Sequence, residues 1–318
     1  MQKIVVLGTG GTIAGVPDEA AQGDGRYRAG VMPVQKLTEE VTRWAPEYTA
    51  TVLTEQVAQM DSKDMDHATW ARLAARARHW LSDPQVQGVV VTHGTDTLEE
   101  TAFFLHLALP AALLEAKPVV LTCAMRPAGS AQSDGPQNLL DALNLVRGGA
   151  ARGVLAVCAG VIHGALDVRK VHPFRLDAFS SGDAGPIGRL EAGMLRQFRN
   201  WPAGGCAAPP ELPEEPARWP RVEIVMSHAG AGASVIDALV AQRVDGLVVA
   251  ATGNATVHQE LEQGLRRAAQ AGVALLRASR CPEGATWPGS DSVAPGAGVL
   301  SPVKARIALL LRLLGAEL

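Results

Sequence analysis

Two textures alternate along the chain. Short runs of successive aliphatic and β-branched residues occupy 3–7, 50–54, 87–92, 118–123 and 153–158. Between them, residues 65–81 and 98–109 carry apolar side chains at three- and four-residue spacing. The runs predict strands and the spaced segments predict amphipathic helices. Strands that are apolar at successive positions are buried on both faces, which predicts a parallel sheet covered by helices. Around 202–220 the pattern lapses: PAGGCAAPPELPEEPARWP is rich in proline and glycine and has no period. That is the composition of a linker. Alternation then resumes, with strands predicted at 222–226, 246–251 and 273–278 and helices at 234–242, 258–271 and 302–314. The expectation is therefore an α/β fold in two parts. A larger N-terminal domain, 1–200, holds a parallel-rich sheet covered by helices, residues 201–220 link, and a smaller α/β domain covers 221–318. No internal repeat or low-complexity tail is visible.

Composition narrows the classes without choosing a function. A chain of 318 residues is long enough for two domains. It is 47% hydrophobic, 19% charged and 4% aromatic, as a globular protein is. A formal net charge of -3 argues against a broad nucleic-acid footprint. No apolar run reaches the roughly 18 residues of a membrane helix. The opening MQKIVVL enters a strand-like run directly, too short for a secretory signal. Cys123, Cys158, Cys206 and Cys281 form no C-x-x-C pair, so neither a zinc site nor a redox motif is expected. Cys123 and Cys158 fall in apolar runs and read as core residues. These features together lead us to expect a reducing cytoplasm.

The chemistry concentrates in two turns. VVLGTGGTIAG (5–15) and VVVTHGTDTLEETAFFL (89–105) both begin as strands and end in glycine and threonine. The first is not a dinucleotide fingerprint, because Ile13 stands where a third glycine would let helix and strand close. In the second, Thr97 and Glu100 fit a capping box at a helix start. That leaves Thr95 and Asp96 unexplained, beside exposed amides that suit an anion or oxyanion. Plain capping accounts for one such turn; two turns with surplus hydroxyls, each after a strand of one sheet, favour a shared site. A hydroxyl nucleophile needs a neighbour to take its proton. No G-x-S-x-G elbow and no Ser-His-Asp set is present. His93 reads as a turn hydrogen-bonder, and Lys170 in HGALDVRKVHPF reads, alone, as solvated surface.

TGGTIAG and HGTDTLEETAFFL resemble the two signatures of bacterial-type L-asparaginases. The resemblance continues through DSKDMDHATW, AMRPAGSAQSDGPQNL, DVRKV, VEIVMSH, GNATVHQEL and SRCPEGAT, in order, over nearly the whole chain. It implies hydrolysis of asparagine to aspartate and ammonia without a metal or organic cofactor. It also implies a homo-oligomer, usually a tetramer built as a dimer of dimers, with each site between the large domain of one subunit and the small domain of another. By the resemblance Thr12 is the nucleophile and Tyr27 the loop tyrosine that closes over substrate. Thr95, Asp96 and Lys170 are the second hydroxyl, acid and base, in which an unprotonated lysine draws a proton from Thr95 or activates water. Asp96 also binds the α-ammonium, Ser62 grips the α-carboxylate with Asp61 beside it, and Thr256 is a polar contact to substrate. Backbone amides near Thr12 and Thr95 form the oxyanion hole.

Two positions depart from that pattern. Lys63 stands where high-affinity relatives carry Gln or Glu; it either points away or pairs with Asp61 or Asp64. Only Asp291 is acidic between Thr286 and Val299, and it is open whether it replaces the neighbouring subunit's glutamate. Both departures favour a cytoplasmic enzyme of ordinary affinity and leave asparagine, glutamine and D-asparagine to be ranked. A non-catalytic amino-acid sensor is the alternative, as is a glutaminase-leaning hydrolase. Asp61, Asp64, Asp66 and His67 lack the spacing of a calcium loop; Asp64 or Asp66 reads as an N-cap. Arg126 and Asp134 read as loop-shaping residues, and Arg72, Arg76 and Arg78 as a solvated helix face. Trp201, Trp219 and Trp287 read as loop anchors or interface residues.

Overall fold

In chain order the first unit, Met1–Ala207, runs β1 (Lys3–Gly10), β2 (Val16–Pro17), β3 (Tyr27–Arg28), α1 (Val34–Trp44), β4 (Val52–Met60), α2 (His67–Ser82), β5 (Val86–Thr92), α3 (Leu98–Ala108), α4 (Ala111–Ala116), β6 (Pro118–Thr122), α5 (Gly135–Arg147), β7 (Gly153–Cys158), β8 (Val161–Gly164), β9 (Arg169–Lys170), β10 (Phe179–Ser180), β11 (Gly188–Glu191) and β12 (Met194–Gln197). This computed structural model describes residues 2–17, 27–202, 204–287 and 292–317. Eight strands form one sheet in the order β12-β11-β8-β7-β6-β5-β1-β4. The five from β7 to β4 are parallel, and β8, β11 and β12 join antiparallel at the far side. β6 and β7 are buried at every position, which is why they read as unbroken apolar runs.

The edge strand and the covering helices carry weaker patterns. β4 runs from Val52 to Met60 rather than over 50–54, because polar Thr54, Glu55, Gln56 and Gln59 break the apolar run on a half-exposed edge strand. Those polar groups are occupied. Glu55 accepts from Arg76 Nε at 2.5 Å and Trp80 Nε1 at 2.7 Å; burial pushes its carboxyl up, but these hydrogen bonds outweigh it and hold it below the usual range. Gln56 Oε1 accepts from the amide of Val34 at 2.8 Å, capping α1 where Pro33 cannot. α1 buries Val34, Leu37 and Val41, and α5 buries Leu139, Ala142, Leu143 and Val146; their residues share one core cluster on one face of the sheet. On α2, Asp66 accepts from Thr69 N at 2.7 Å as the N-cap. Trp70 stacks on Phe104 of α3 at 4.7 Å and donates to Thr101.

The second unit, Ala208–Leu318, is a smaller α/β layer. β13 (Val222–Met226), β14 (Gly246–Ala251) and β15 (Ala274–Ser279) are parallel in that order. Leu247 and Val249 of β14 share a core with Ile236 of α6 (Ser234–Ala241) and with Leu261 and Leu265 of α7 (Gln259–Gln270). α8 (Pro302–Leu313) packs on all three strands. Trp219 is buried and its indole donates to the Pro213 carbonyl at 3.0 Å, anchoring the proline-rich stretch. Trp201 packs against the sheet core of the first unit, and Trp287 is exposed. Cys123 and Cys158 are buried and their thiols face each other at the ends of β6 and β7. Among the described residues no helix is long and apolar enough to cross a membrane.

Candidate active site

Strand order assembles the site. β4, β1 and β5 lie side by side, and Met60 pairs with Gly10 and Thr92 with Gly8. The segments after the three strands therefore emerge together, at the carboxyl edge where ligands of such sheets bind. They are Asp61–Ser62, Gly11–Thr12 and Gly94–Thr95–Asp96. Gly11 N donates to Met60 O at 2.8 Å, and Thr9 Oγ1 donates to Thr92 O at 2.9 Å. Gly11 adopts φ 80°, and a methyl there would sit 2.2 Å from Gly94 Cα. Two glycines thus let the main chains of both turns touch, and each is followed by a threonine. Both hydroxyl residues are buried, Thr12 at 7% and Thr95 at 6% exposure.

Thr12 opens a 3₁₀ turn, Thr12–Ala14, and its Oγ1 shares a 2.7 Å hydrogen bond with Tyr27 Oη. Tyr27 reaches it on the β2–β3 ribbon, in which Pro17 pairs with Tyr27. The tyrosine ring lies against Gly15, where a Cβ would meet it at 2.7 Å.

Thr95 makes a second hydroxyl centre. Lys170, on the short β9–β10 ribbon, donates from Nζ to Thr95 Oγ1 at 2.8 Å and to Asp96 Oδ1 at 2.5 Å. The lysine side chain is 18% exposed and the Asp96 side chain 54%. Ser62 is buried, and its Oγ accepts from Asp96 N at 3.2 Å, which leaves its own proton for an acceptor. The capping box expected of Thr97 and Glu100 lacks its hydroxyl half. Thr97 makes no side-chain cap; its hydroxyl donates to the Ser62 carbonyl at 2.7 Å instead, tying the ends of β4 and β5 together. Nothing in the local sequence signals that link, because it spans 35 positions.

Asp61 does not join the hydroxyls. Its carboxylate accepts from Lys63 N and, at 2.9 Å, from Lys63 Nζ, which also reaches Asp64 at 3.0 Å. The Asp61 and Asp64 hydrogen bonds raise the Lys63 ammonium to about 12. His93 is fully buried; its Nδ1 faces the Gly94 carbonyl at 2.8 Å and Nε2 has no partner among the described residues. Burial lowers its pKa to about 4, so the ring is neutral and donates from Nδ1. Asp134 takes the amides of Met125 and Arg126 and the side chain of Asn138, and Arg126 donates to the Phe174 carbonyl at 2.9 Å. Thr256 lies in the second unit, where its Oγ1 shares 2.9 Å with Thr252 Oγ1. Asp291 falls outside the described residues. Among the described residues no group of three or more His, Cys, Asp or Glu is gathered as metal ligands.

Comparison with known proteins covers both units. The family model "Asparaginase, N-terminal" matches residues 3–202, and "Glutaminase/Asparaginase C-terminal domain" matches 221–316. The chain is 35% identical over 320 residues to L-asparaginase 2 of Escherichia coli, spanning 98% of this chain and 89% of the relative. It is 32% identical over 284 residues to a glutaminase-asparaginase of Pseudomonas fluorescens, spanning 88% and 75%. Among solved structures, a probable cytoplasmic L-asparaginase from Campylobacter jejuni superposes with a TM-score of 0.85 at 33% identity, covering 99% of this chain and 96% of the other. With two hydroxyl centres at adjacent strand ends and family matches in both units, the chain belongs to the asparaginase family.

Proposed function

We propose that the protein hydrolyses L-asparagine to L-aspartate and ammonia through a threonine acyl-enzyme. The observation that carries this is the pair of activated hydroxyls, Thr12 with Tyr27 and Thr95 with Lys170, on turns whose glycines touch. Thr12 Oγ attacks the side-chain amide carbon, and its proton passes toward Tyr27. The tetrahedral oxyanion is met by backbone amides of the two turns, a term worth roughly 3–4 kcal/mol per donor in related chemistry. Ammonia leaves with a proton and a β-aspartyl ester remains on Thr12. Water then attacks that ester, its proton drawn through Thr95 and Lys170, and aspartate departs as Thr12 regains its proton.

Substrate is held by the polar groups at the rim. Ser62, with a hydroxyl proton available, grips the α-carboxylate, and the exposed carboxylate of Asp96 receives the α-ammonium. Asp61 acts beside Ser62 by restraining Lys63, and Thr256 is a further polar contact carried by the resemblance. On this reading residues 1–200 bear the nucleophile, 201–220 link, and 221–318 complete the enzyme. A cytoplasmic homotetramer is part of the proposal; its support is the family resemblance and the cytoplasmic neighbour named above.

The test is ammonia release by the purified protein from L-asparagine, L-glutamine and D-asparagine, with Thr12→Ala as control. Release from L-asparagine that disappears in the variant is the expected result. The glutaminase-asparaginase relative makes L-glutamine the competing substrate, and faster release from it would move the assignment there. Binding of an amino acid without any release would make the protein a sensor.

A further inference from the structure

We propose that the cavity between α1 and α5 is a second binding site, for a small organic monocation with an apolar body, and that its occupant acts on Tyr27. The cavity measures about 450 Å³, within the range of small-molecule sites. Its charge pattern is one-sided. Glu40 lines it, and no lysine or arginine does. Lys36 and Arg43, the bases flanking Glu40 on α1, make no ion pair with it among the described residues. Trp44, 81% exposed, stands one turn beyond Glu40 on the same helix face and also lines the wall. An unpaired carboxylate beside an open indole face fits an ammonium, by charge-assisted hydrogen bonding and by attraction to the ring. Val41, Pro136 and Leu140 supply apolar surface. The Ser133 hydroxyl in the same wall has no partner among the described residues. A zwitterionic amino acid is disfavoured, because its carboxylate meets no cation there. The site therefore does not simply duplicate the reading of the active site.

The coupling runs through the loop that forms one wall. Ala128 lines the cavity, and its amide donates to Gly15 O at 3.0 Å, just after the Thr12 turn. Gly129 packs on Pro17, where an added Cβ would fall 2.5 Å from Cδ. Pro17 pairs with Tyr27, whose hydroxyl meets Thr12. Beneath the cavity, a void of about 10 Å³ is bounded by Ile13, Glu40 and Ala128, and Ile13 follows Thr12 directly. Ala128 and Gly129 are thereby joined by direct contacts to the ribbon carrying Tyr27. On the proposal, an occupant that displaces them displaces the ribbon as well; contact alone does not establish coupling, which the kinetic constants measure.

Calorimetric titration of the full-length protein with phenethylammonium tests the site, with L-phenylalanine and 2-phenylethanol as zwitterionic and neutral counterparts. One saturable event per chain is expected, weakened at least about tenfold in Glu40→Gln and in Trp44→Ala, and at least tenfold weaker for both counterparts. No saturable heat, or heat unchanged in Glu40→Gln, overturns the site; an unaltered melting curve of that variant shows that it is folded. The coupling, which rests on the hydrolase reading, is tested separately. Saturating amine should change KM or kcat for L-asparagine at least twofold in the wild type and not in Glu40→Gln, and unchanged constants overturn it. An inactive protein that still binds the amine would count against the hydrolase reading and not against the site.

Discussion

Gly11 and Gly94 touch main chain to main chain. A methyl on Gly11 would lie 2.2 Å from Gly94 Cα and 2.3 Å from Gly94 N, whereas one on Gly94 would first meet the Ser62 hydroxyl at 2.4 Å. The two glycines are therefore not equivalent. Gly11→Ala collides with backbone and also strains φ 80°, and is expected to cost about 2–4 kcal/mol and nearly all turnover. Gly94→Ala meets Ser62 Oγ, which can rotate away, and Ser62 Cβ at 2.6 Å, which cannot. The Ser62 turn must give way, at less cost than the main-chain collision of Gly11→Ala, about 1–3 kcal/mol, and KM should rise as Ser62 is displaced. Denaturant melts and steady-state kinetics separate the two. Equal damage to stability would show that the contact is not what joins the turns.

Tyr27 touches the proposed nucleophile from a surface ribbon. The residue is 37% exposed and its strand is only two residues long, so its hydroxyl adds little to the fold. Tyr27→Phe should leave stability within about 0.5 kcal/mol and lower kcat by roughly 10²–10⁴-fold, the usual scale for a positioned proton-transfer group. A kcat within threefold of wild type would remove Tyr27 from the proton path.

How much of this could be read from the sequence follows burial. β7 and β14 occupy the residues predicted for them, because strands covered on both faces leave an unbroken apolar signature. β13 also falls where predicted, although Ile224 and Met226 are exposed, because all its side chains but Glu223 are apolar. β4 did not, because Glu55 and Gln56 serve α2 and α1 from an edge strand. β12 is exposed at every position, so it carries no pattern to read, and α1 and α5 went unpredicted although they cover the core. At the site, the glycine–threonine turns were visible as motifs, and the resemblance named Lys170 and Tyr27. What no motif could show is that the Thr97 hydroxyl leaves its helix to hold Ser62, or that Gly94 leaves room for Ser62 Oγ. Such links are made by strand order, between residues distant in sequence.

Lys63 is expected to be a bystander in substrate binding. Its ammonium is held by Asp61 at 2.9 Å and Asp64 at 3.0 Å, with its side chain 61% exposed. Exposed pairs of this kind contribute little to stability. Lys63→Ala should leave the melting temperature within a degree or two and KM for L-asparagine within about twofold. If the ammonium instead faced the substrate's own ammonium, removing it would lower KM severalfold, and that result would reverse the assignment.

His93 should write itself into the pH dependence of stability. Burial depresses its pKa from 6.5 to about 4, so between those values the unfolded chain binds a proton that the native chain does not. Stability from this group is complete above pH 6.5 and is lost as pH falls toward 4, at up to about 1.4 kcal/mol per pH unit. Urea melts at pH 7, 6 and 5 should show this slope in the wild type and a flatter one in His93→Asn, whatever the variant's baseline. Identical slopes would mean that the ring is protonated in the native state.

Asp134 shapes the loop that braces the nucleophile turn. Its Oδ2 accepts from Met125 N at 3.0 Å and from Asn138 Nδ2 at 3.2 Å, and its Oδ1 accepts from Arg126 N at 2.9 Å. Asn138 in turn donates to Cys123 O and accepts from Ala159 N, so the carboxylate sits at the root of a network reaching the ends of β6 and β7. Asp134→Ala strips acceptors from two amides at once, and each orphaned donor costs about 1–3 kcal/mol; a loss of about 2–4 kcal/mol is expected. Asp134→Asn keeps one oxygen and should lose about half as much. The same loop holds Gly15 through Ala128, so kcat should fall in step with stability across wild type, Asn and Ala. Stability lost without any change in kcat would show that the loop supports the fold without setting the position of Thr12.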